Sequence, residues 1–393
     1  MTTVIYGGSF NPPHLGHVSA AQSVYEALRP DRFLIIPTNI APHKAAAAGS
    51  PDAAARLQMC RLAFAGIPGA EVSPMEMERE GKSYTADTIS ILREKYPEDE
   101  LYLVVGTDMF LSFREWHEYK YLLDNCTLAV LSRETDDRGE ILSFKRSLEN
   151  EDGARIRLIE HEPLPMSSAE IRAMLPKAGG AELLDDGVYS LIIKNRWYAA
   201  KPELRWLREK VRPYLTEKRA RHVAGCEEQA VKLARRWGAD VYEAAEAGIL
   251  HDITKKLSDE EQLIMCDKYG IILDAAERRN PRILHARTGA ALARELFGIP
   301  DGIYSAIRWH TTGKPDMSLM EKIIYLADFT EPTRDFKGVE PLRKLCFEDI
   351  DRAMELGLRM SLEEIRSRGE DAYKDTVDAY QWYKKEQGGS ATC

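Results

Sequence analysis

Between Val4 and about Leu164 the chain repeats one pattern: a short run rich in β-branched and aromatic residues, an amphipathic stretch of helical period, then another such run. The runs are "VIYGG", "RFLIIPT", "AEVSPMEM", "LYLVVGTD", "CTLAVLSR" and "RIRLIEHEPL", with stretches such as "HVSAAQSVYEAL" and "TADTISILREKY" between them. Short apolar runs alternating with helices are satisfied by a parallel sheet covered on both faces. Ligands of such sheets bind outside the carboxyl ends of the strands, and here those ends carry "GGSF" and "GTD". After Trp197 the runs stop and helical periodicity continues. In "HVAGCEEQAVKLARRWG" the residues Val223, Ala230, Leu233, Ala234 and Trp237 share one face, and Gly238 is a helix stop. "SLMEKIIYLAD" opens with the capping-box pair Ser318 and Glu321. The expected fold class is α/β, a parallel-sheet domain over residues 1–198 followed by an all-α domain over 199–393, with the join near 195–205. The charged stretch from Glu134 to Arg157 reads as a solvated loop and helix.

A length of 393 residues suits two or three domains, and 44% hydrophobic with 30% charged residues is ordinary for a globular protein. A net charge of −9 argues against a general nucleic-acid binder, which needs a basic surface. A small anionic ligand needs only a local basic pocket. Six cysteines without a C-x-x-C pair read as reduced thiols. No basic n-region with an apolar core and no membrane-length apolar run is present, so a cytoplasmic location without a membrane partner is expected. Composition leaves the oligomeric state open, and a homo-oligomer is compatible with it.

The segment "GGSFNPPHLGH" (Gly7 to His17) suits phosphate. Glycine lets backbone approach an anion, and a helix start presents unpaired N–H groups and the positive end of its dipole. His14 and His17, three apart, share one face of the first turn and add donors whose charge can answer to phosphate. "GKSY" (Gly81 to Tyr84) is no P-loop, because Glu76 stands where the earlier glycine is required.

The same segment matches the G-x-F-x-P-x-H-x-G-H signature of the nucleotidylyltransferase superfamily. With "IPTNIAPHK", "GKSYTADT", "GTDMFLSFREWHEY" and "PMSSAEIR", the stretch from Val4 to about Tyr198 resembles bacterial nicotinate-nucleotide adenylyltransferases. The resemblance implies a Rossmann-like fold and in-line attack by the phosphate of nicotinate mononucleotide on the α-phosphorus of ATP, with Mg²⁺ arriving with ATP. Such a reaction needs positioning and charge neutralisation but no protein nucleophile. It implies catalytic roles for His14, His17, Lys44 and Arg172 on the phosphates, assisted by Ser167 and Ser168. Gly7, Gly8, Ser9 and Phe10 would line the phosphate turn. Trp116 would stack on the pyridine ring, amides near Thr85 would hold its carboxylate, and Gly106 and Asp108 would meet ribose or phosphate-linked groups. Ala169 departs from the threonine more common there. His43 and His161 stay outside the set. A phosphopantetheine adenylyltransferase shares the histidine motif, but Trp116 and "SYTADT" favour the pyridine nucleotide.

The second half holds four histidines, His222, His251, His285 and His310, with Asp252 directly after His251 and Asp328 further on. Imidazoles with carboxylates form a mixed N/O donor set suited to iron, manganese or similar ions. The H…HD…H…H…D order is that of the HD phosphohydrolases, and from Lys218 to Arg343 the chain resembles YqeK-type HD hydrolases. That resemblance implies two iron or similar transition-metal ions and symmetrical cleavage of diadenosine tetraphosphate to two ADP. Asp252 would bridge, with His222, His251 and Asp328 on one ion and His285 and His310 on the other. Lys255, Arg308, Lys314 and Arg334 would reach substrate phosphates. The expectation is a bifunctional enzyme; the alternative is an adenylyltransferase carrying a nucleotide-sensing HD module without turnover.

Overall fold

The computed structural model describes residues 1–40, 49–79, 81–132, 138–274, 277–278 and 281–389. The chain forms two compact units, Met1–Lys201 and Pro202–Cys393.

In the first unit β1 (Thr2–Gly8), β2 (Arg32–Pro37), β3 (Ala70–Val72), β4 (Glu100–Val105), β5 (Thr127–Ser132) and β6 (Ile156–Glu160) form one sheet. Its order is β3-β2-β1-β4-β5-β6 and every pairing is parallel. Val4 lies opposite Phe33 on one side and Tyr102 on the other. Strands buried on both faces read as continuous apolar runs, which is why "FLIIP" and "LYLVV" show no alternation. The helices on this sheet are α1 (Leu15–Leu28), α2 (Ala53–Ala63), α3 (Thr85–Lys95), α4 (Thr107–Leu111), α5 (Tyr119–Asn125), α6 (Arg138–Asp152), α7 (Ser168–Met174) and α8 (Asp186–Asn195). Ile5, Leu103, Val105, Phe110, Phe113 and Leu128 share one core layer. Strand order reverses between β1 and β4; open α/β sheets take ligands in the crevice outside the carboxyl ends of strands at such a reversal.

Two expectations change here. "AEVSPMEM" gives a strand of only three residues. Ser73 N–H still donates to Ile35 O, but Pro74 has no N–H, and a turn closes from Met77 N–H to Pro74 O at 2.7 Å. The charged stretch does form the expected helix, α6, but that helix buries Ile141 and Leu148, and the stretch ends inside β6 at Arg157. Residues 134–137 lie outside the described residues.

The second unit contains α9 (Leu204–Val211), α10 (Glu217–Trp237), α11 (Val241–Leu250), α12 (Asp259–Lys268), α13 (Leu284–Phe297), α14 (Asp301–Trp309), α15 (Leu319–Thr330), α16 (Val339–Glu348), α17 (Ile350–Ser367) and α18 (Lys374–Gly389). On α10, Val223, Ala230, Leu233 and Ala234 are buried, and Trp237 Nε1 donates to Cys346 O at 2.8 Å. Gly238 ends that helix at φ 74. α11 lies so close to α10 that a Cβ at Gly248 would stand 2.8 Å from Glu227 Cα. Ser318 and Glu321 form the capping box of α15. Cys60, Cys126, Cys226, Cys266 and Cys346 are buried free thiols. Among the described residues no helix is long and apolar enough to cross a membrane.

Candidate active sites

β1 ends at Gly8, α1 begins at Leu15, and His14 caps that helix with extended backbone. The turn between them is fastened through its carbonyls. Arg56 Nη1 donates to Ser9 O at 2.9 Å, Arg172 Nη1 to Asn11 O at 2.5 Å, and Ser168 Oγ to Pro12 O at 2.8 Å. The Asn11 side chain accepts from Tyr198 OH at 2.6 Å and donates to Ser50 Oγ at 2.9 Å. Arg56 also donates to Thr38 O and Asn39 O, so it joins the loops after β1 and β2. Two glycines of the motif provide clearance: a Cβ on Gly8 would stand 3.0 Å from the Phe10 ring, and one on Gly16 3.0 Å from His14 Nδ1. Gly7 remains within β1. The Phe10 ring is buried against Tyr6, Phe64 and His17 and can offer a ligand only its main chain.

The rings of His14 and His17 lie 3.7 Å apart, tilted by 30°. His14 N–H donates to His17 Nδ1 at 3.2 Å, so in neutral His17 the proton sits on Nε2. Burial pushes the pKa of His14 down to about 4, and burial together with His14 pushes His17 down to about 3. Both rings are therefore uncharged at pH 7 in the free protein, where His17 offers a neutral Nε2–H. His14 Nδ1 is buried without a hydrogen-bond partner among the described residues.

On the other lip, Gly106 caps α4 after β4, and Asp108 is exposed in its first turn. Thr85 opens α3 behind the cap Tyr84. Trp116 is half-buried and stacked on Phe113 at 5.0 Å. The rings of Tyr84 and His117 meet at 4.4 Å, which brings the Thr85 and Trp116 segments together. Ser167 caps α7 by accepting from Glu170 N–H at 3.2 Å, and its hydroxyl donates to Glu170 Oε2. Ser168 and Arg172 thus hold the turn between β1 and α1 itself. Lys44 lies outside the described residues. Sequence reasoning missed Arg56 and Tyr198, whose partners lie up to 187 positions away with no local pattern to mark them, and gave no role to the Asn11 side chain although it lies inside the Gly7–His17 motif.

In the second unit four imidazoles converge. His222 and His251 bring their Nε2 atoms to 3.3 Å, and so do His285 and His310. Each Nδ1 is committed elsewhere: His251 to Gly248 O, His285 to Arg282 O and His310 to Ile307 O, all at 2.7 Å, and His222 to Glu331 Oε1 at 3.1 Å. A neutral imidazole that donates from Nδ1 keeps its lone pair on Nε2. Asp252 stands between the pairs. Its Oδ2 lies 3.5 and 3.4 Å from the Nε2 atoms of His222 and His251, and its Oδ1 lies 3.4 and 3.7 Å from those of His285 and His310. Asp328 Oδ1 is 2.9 Å from His222 Nε2. His222, His251 and Asp328, and again His251, Asp252 and His310, group their ligand atoms within 4.8 Å. Lone pairs facing one another around two carboxylates fit divalent cations.

Burial alone would raise both carboxyls, but His251 holds Asp252, and His222 with Arg334 holds Asp328, well below the usual range. Burial and the Lys255 cation keep His285 well below its usual value. Thr254 Oγ1 donates to His285 O at 2.9 Å and meets Thr288 Oγ1, which fixes α13 against the turn carrying Asp252.

Beside these groups opens a cavity of about 940 Å³, lined by His285, His310, Asp328, Lys255 and Arg334 with the aromatic side Tyr325, Phe329 and Phe336. Lys255 Nζ lies 3.1 Å from His285 Nδ1, and Arg334 Nη2 2.6 Å from Asp328 Oδ1. Arg308 and Lys314 are not among its lining residues. Arg308 stacks on Trp309 and Lys314 pairs with Glu321 at 3.1 Å. Two further groups escaped the sequence reading. Arg219 Nη1 lies 2.6 Å from Asp252 Oδ2, and its place three residues before His222 on α10 was the available signal. Glu331 is fully buried behind His222.

Residues 5–174 match the cytidylyltransferase-like family and residues 219–333 the HD domain family. A probable nicotinate-nucleotide adenylyltransferase of Gemmatimonas aurantiaca is 39% identical over 170 residues, a match covering 43% of this chain and 78% of that protein. The symmetrical bis(5'-nucleosyl)-tetraphosphatase of Bacillus subtilis is 38% identical over 176 residues, covering 44% of this chain and 92% of that protein. Among solved structures, a predicted HD superfamily hydrolase involved in NAD metabolism from Clostridium acetobutylicum is 36% identical, with a TM-score of 0.45, covering 46% of this chain and 96% of that one.

Proposed function

Because the chain belongs through its first half to the nicotinate-nucleotide adenylyltransferases and through its second to the HD-type symmetrical bis(5'-nucleosyl)-tetraphosphatases, both enzyme families, we propose that one polypeptide performs both reactions. The first unit transfers AMP from ATP to nicotinate mononucleotide, forming nicotinate adenine dinucleotide and pyrophosphate. The second cleaves diadenosine tetraphosphate at its central anhydride to two ADP. The observation that carries the pairing is that the turn after β1 lies at the β1–β4 crevice of the first unit, while in the second Asp252 and Asp328 stand among four histidines.

In the adenylyl-transfer site His17 Nε2–H and the start of α1 would donate to ATP phosphates, with Mg²⁺ arriving on the nucleotide. Arg172 and Ser168 hold the turn that presents them, and Lys44 is assigned to the phosphates from its motif alone. Trp116 would stack on the pyridine ring, and amides at the start of α3 near Thr85 would receive its carboxylate. A site built for that anion discriminates strongly against the amide.

In the hydrolytic site His222, His251 and Asp328 would hold one ion, His285 and His310 the other, and Asp252 would reach both through its separate oxygens. Two such ions, iron or a similar metal, would polarise phosphoryl oxygen and lower the pKa of attacking water. Lys255 and Arg334 would bind the polyphosphate, and the Phe329–Phe336 side would receive a base. Arg308 and Lys314 are left without a substrate role.

The test is a product assay of the full chain. ATP with nicotinate mononucleotide should give the dinucleotide, with nicotinamide mononucleotide a far poorer substrate in kcat/KM. Diadenosine tetraphosphate with the metal-loaded protein should give ADP alone. Bound metal without turnover would move the second unit to the sensing reading; equal use of acid and amide would remove the Thr85–Trp116 pocket.

A further inference from the structure

Three of the four histidines in the second unit point Nδ1 at a main-chain carbonyl three residues earlier, each at 2.7 Å. His222 alone of the four points Nδ1 at a carboxylate, Glu331 Oε1, at 3.1 Å. A carbonyl orients an imidazole. A carboxylate orients it and also pulls its Nδ1 proton, which makes the opposite nitrogen a stronger ligand.

The surroundings of Glu331 hold that contact in place. The side chain is wholly buried, and Thr333 clasps it by donating N–H to Oε2 at 2.6 Å and its hydroxyl to Oε1. Among the described residues the cation nearest its carboxylate is Arg334, with Nε 3.9 Å from Oε1 and its guanidinium engaged with Asp328, while Arg343 Nη2 donates to Glu331 O at 2.8 Å. α10 makes room for the carboxylate one turn beyond His222: a Cβ on Gly225 would stand 2.4 Å from Glu331 Oε2. A buried acid, a glycine that clears space for it and a turn that locks it all serve one ring nitrogen.

We propose that Glu331 is a positioning residue that makes His222 the most strongly donating imidazole of the site, so that the ion at His222, His251 and Asp328 is held more tightly than its neighbour. The inference rests on the two-ion reading of this unit. It predicts unequal release: on chelation the ion near His285 and His310 leaves first, and the ion on His222 leaves last.

The experiment follows metal release from the loaded full chain into a chelator, together with metal content, thermal midpoint, kcat and KM. Glu331→Gln keeps an acceptor for Nδ1–H but removes the charge, and should speed the slow release by about 10-fold. Glu331→Ala removes both and should speed it by about 100-fold. The fast release should stay unchanged in each. Gly225→Ala keeps the carboxylate but pushes it off His222, and should reproduce the effect with Glu331 intact. In all three kcat should fall more than KM rises. A lowered thermal midpoint with wild-type release of both ions would show that Glu331 only anchors its turn, and would overturn the proposal. A wild-type chain that binds fewer than two ions would overturn the two-ion reading instead.

Discussion

His14 and His17 stand ring against ring at the turn proposed to receive phosphate, and burial rather than spacing decides their charge. Unfolded, each would titrate near the ordinary 6.5; folded, they titrate near 4 and 3. The native state thus refuses protons that the unfolded chain accepts, so the stability they support is complete above pH 6.5 and drains as pH falls towards about 4 for His14 and about 3 for His17. The His14→Asn/His17→Asn double variant should lose less stability than wild type between pH 7 and pH 4 in urea titrations; parallel losses would contradict the shifts. His17→Ala should lower kcat/KM for adenylyl transfer by about 10²–10³-fold, since it removes a donor aimed at developing charge, and should leave tetraphosphate hydrolysis within about twofold of wild type. The spacing of the two histidines was legible in the sequence and their shared face followed from it. Their neutrality was not, because it comes from Phe10 and other groups that close over them only after folding. Likewise Arg219 and Glu331 are ordinary charged residues in a sequence, and only the fold turns them towards Asp252 and His222.

Elements were the most readable level, because each local signal coincides with a packing need. Five of the six apolar runs became strands of five to seven residues, and the exception was cut short by Pro74. The Ser318–Glu321 pair begins α15 as expected: Ser318 Oγ accepts from Glu321 N–H at 3.3 Å, and Glu321 accepts from Ser318 N–H at 2.6 Å. Ser318→Ala should therefore cost about 1 kcal/mol of stability, measured by denaturant midpoint, without altering metal content. At the start of α1 a helix signal and a site requirement share one residue. Gly16→Ala would favour helix by propensity, yet its Cβ would press on His14 Nδ1 at 3.0 Å. The expected outcome is a drop in adenylyl-transfer kcat of at least about tenfold with little change in stability. Unchanged kcat would show that the ring yields freely. What could not be read at this scale was which helices carry each site together, since α7 reaches the turn after β1 across 156 positions.

At the scale of the molecule, two units with separate candidate sites should fail separately. Asp252→Ala removes the one carboxylate that faces both histidine pairs, so metal content and tetraphosphate hydrolysis should fall together while adenylyl transfer persists. Metal analysis and both assays on one folded preparation decide the matter, and loss of both activities would mean that the units depend on each other. The point where the first unit ends matters to this independence. Tyr198 ties its hydroxyl to Asn11 and its N–H to Gly49 O, four residues before Pro202 opens the second unit. Anyone dividing this protein therefore meets a constraint: the last strand closes at Glu160, but a fragment that stops before Tyr198 discards a fastening of its own turn after β1. A piece carried through Lys201 should transfer AMP as the whole chain does, and one stopped at Arg196 should keep its sheet and lose most of its rate. Tyr198, beside the junction of the two units, belongs to the fastening of the first unit's own turn.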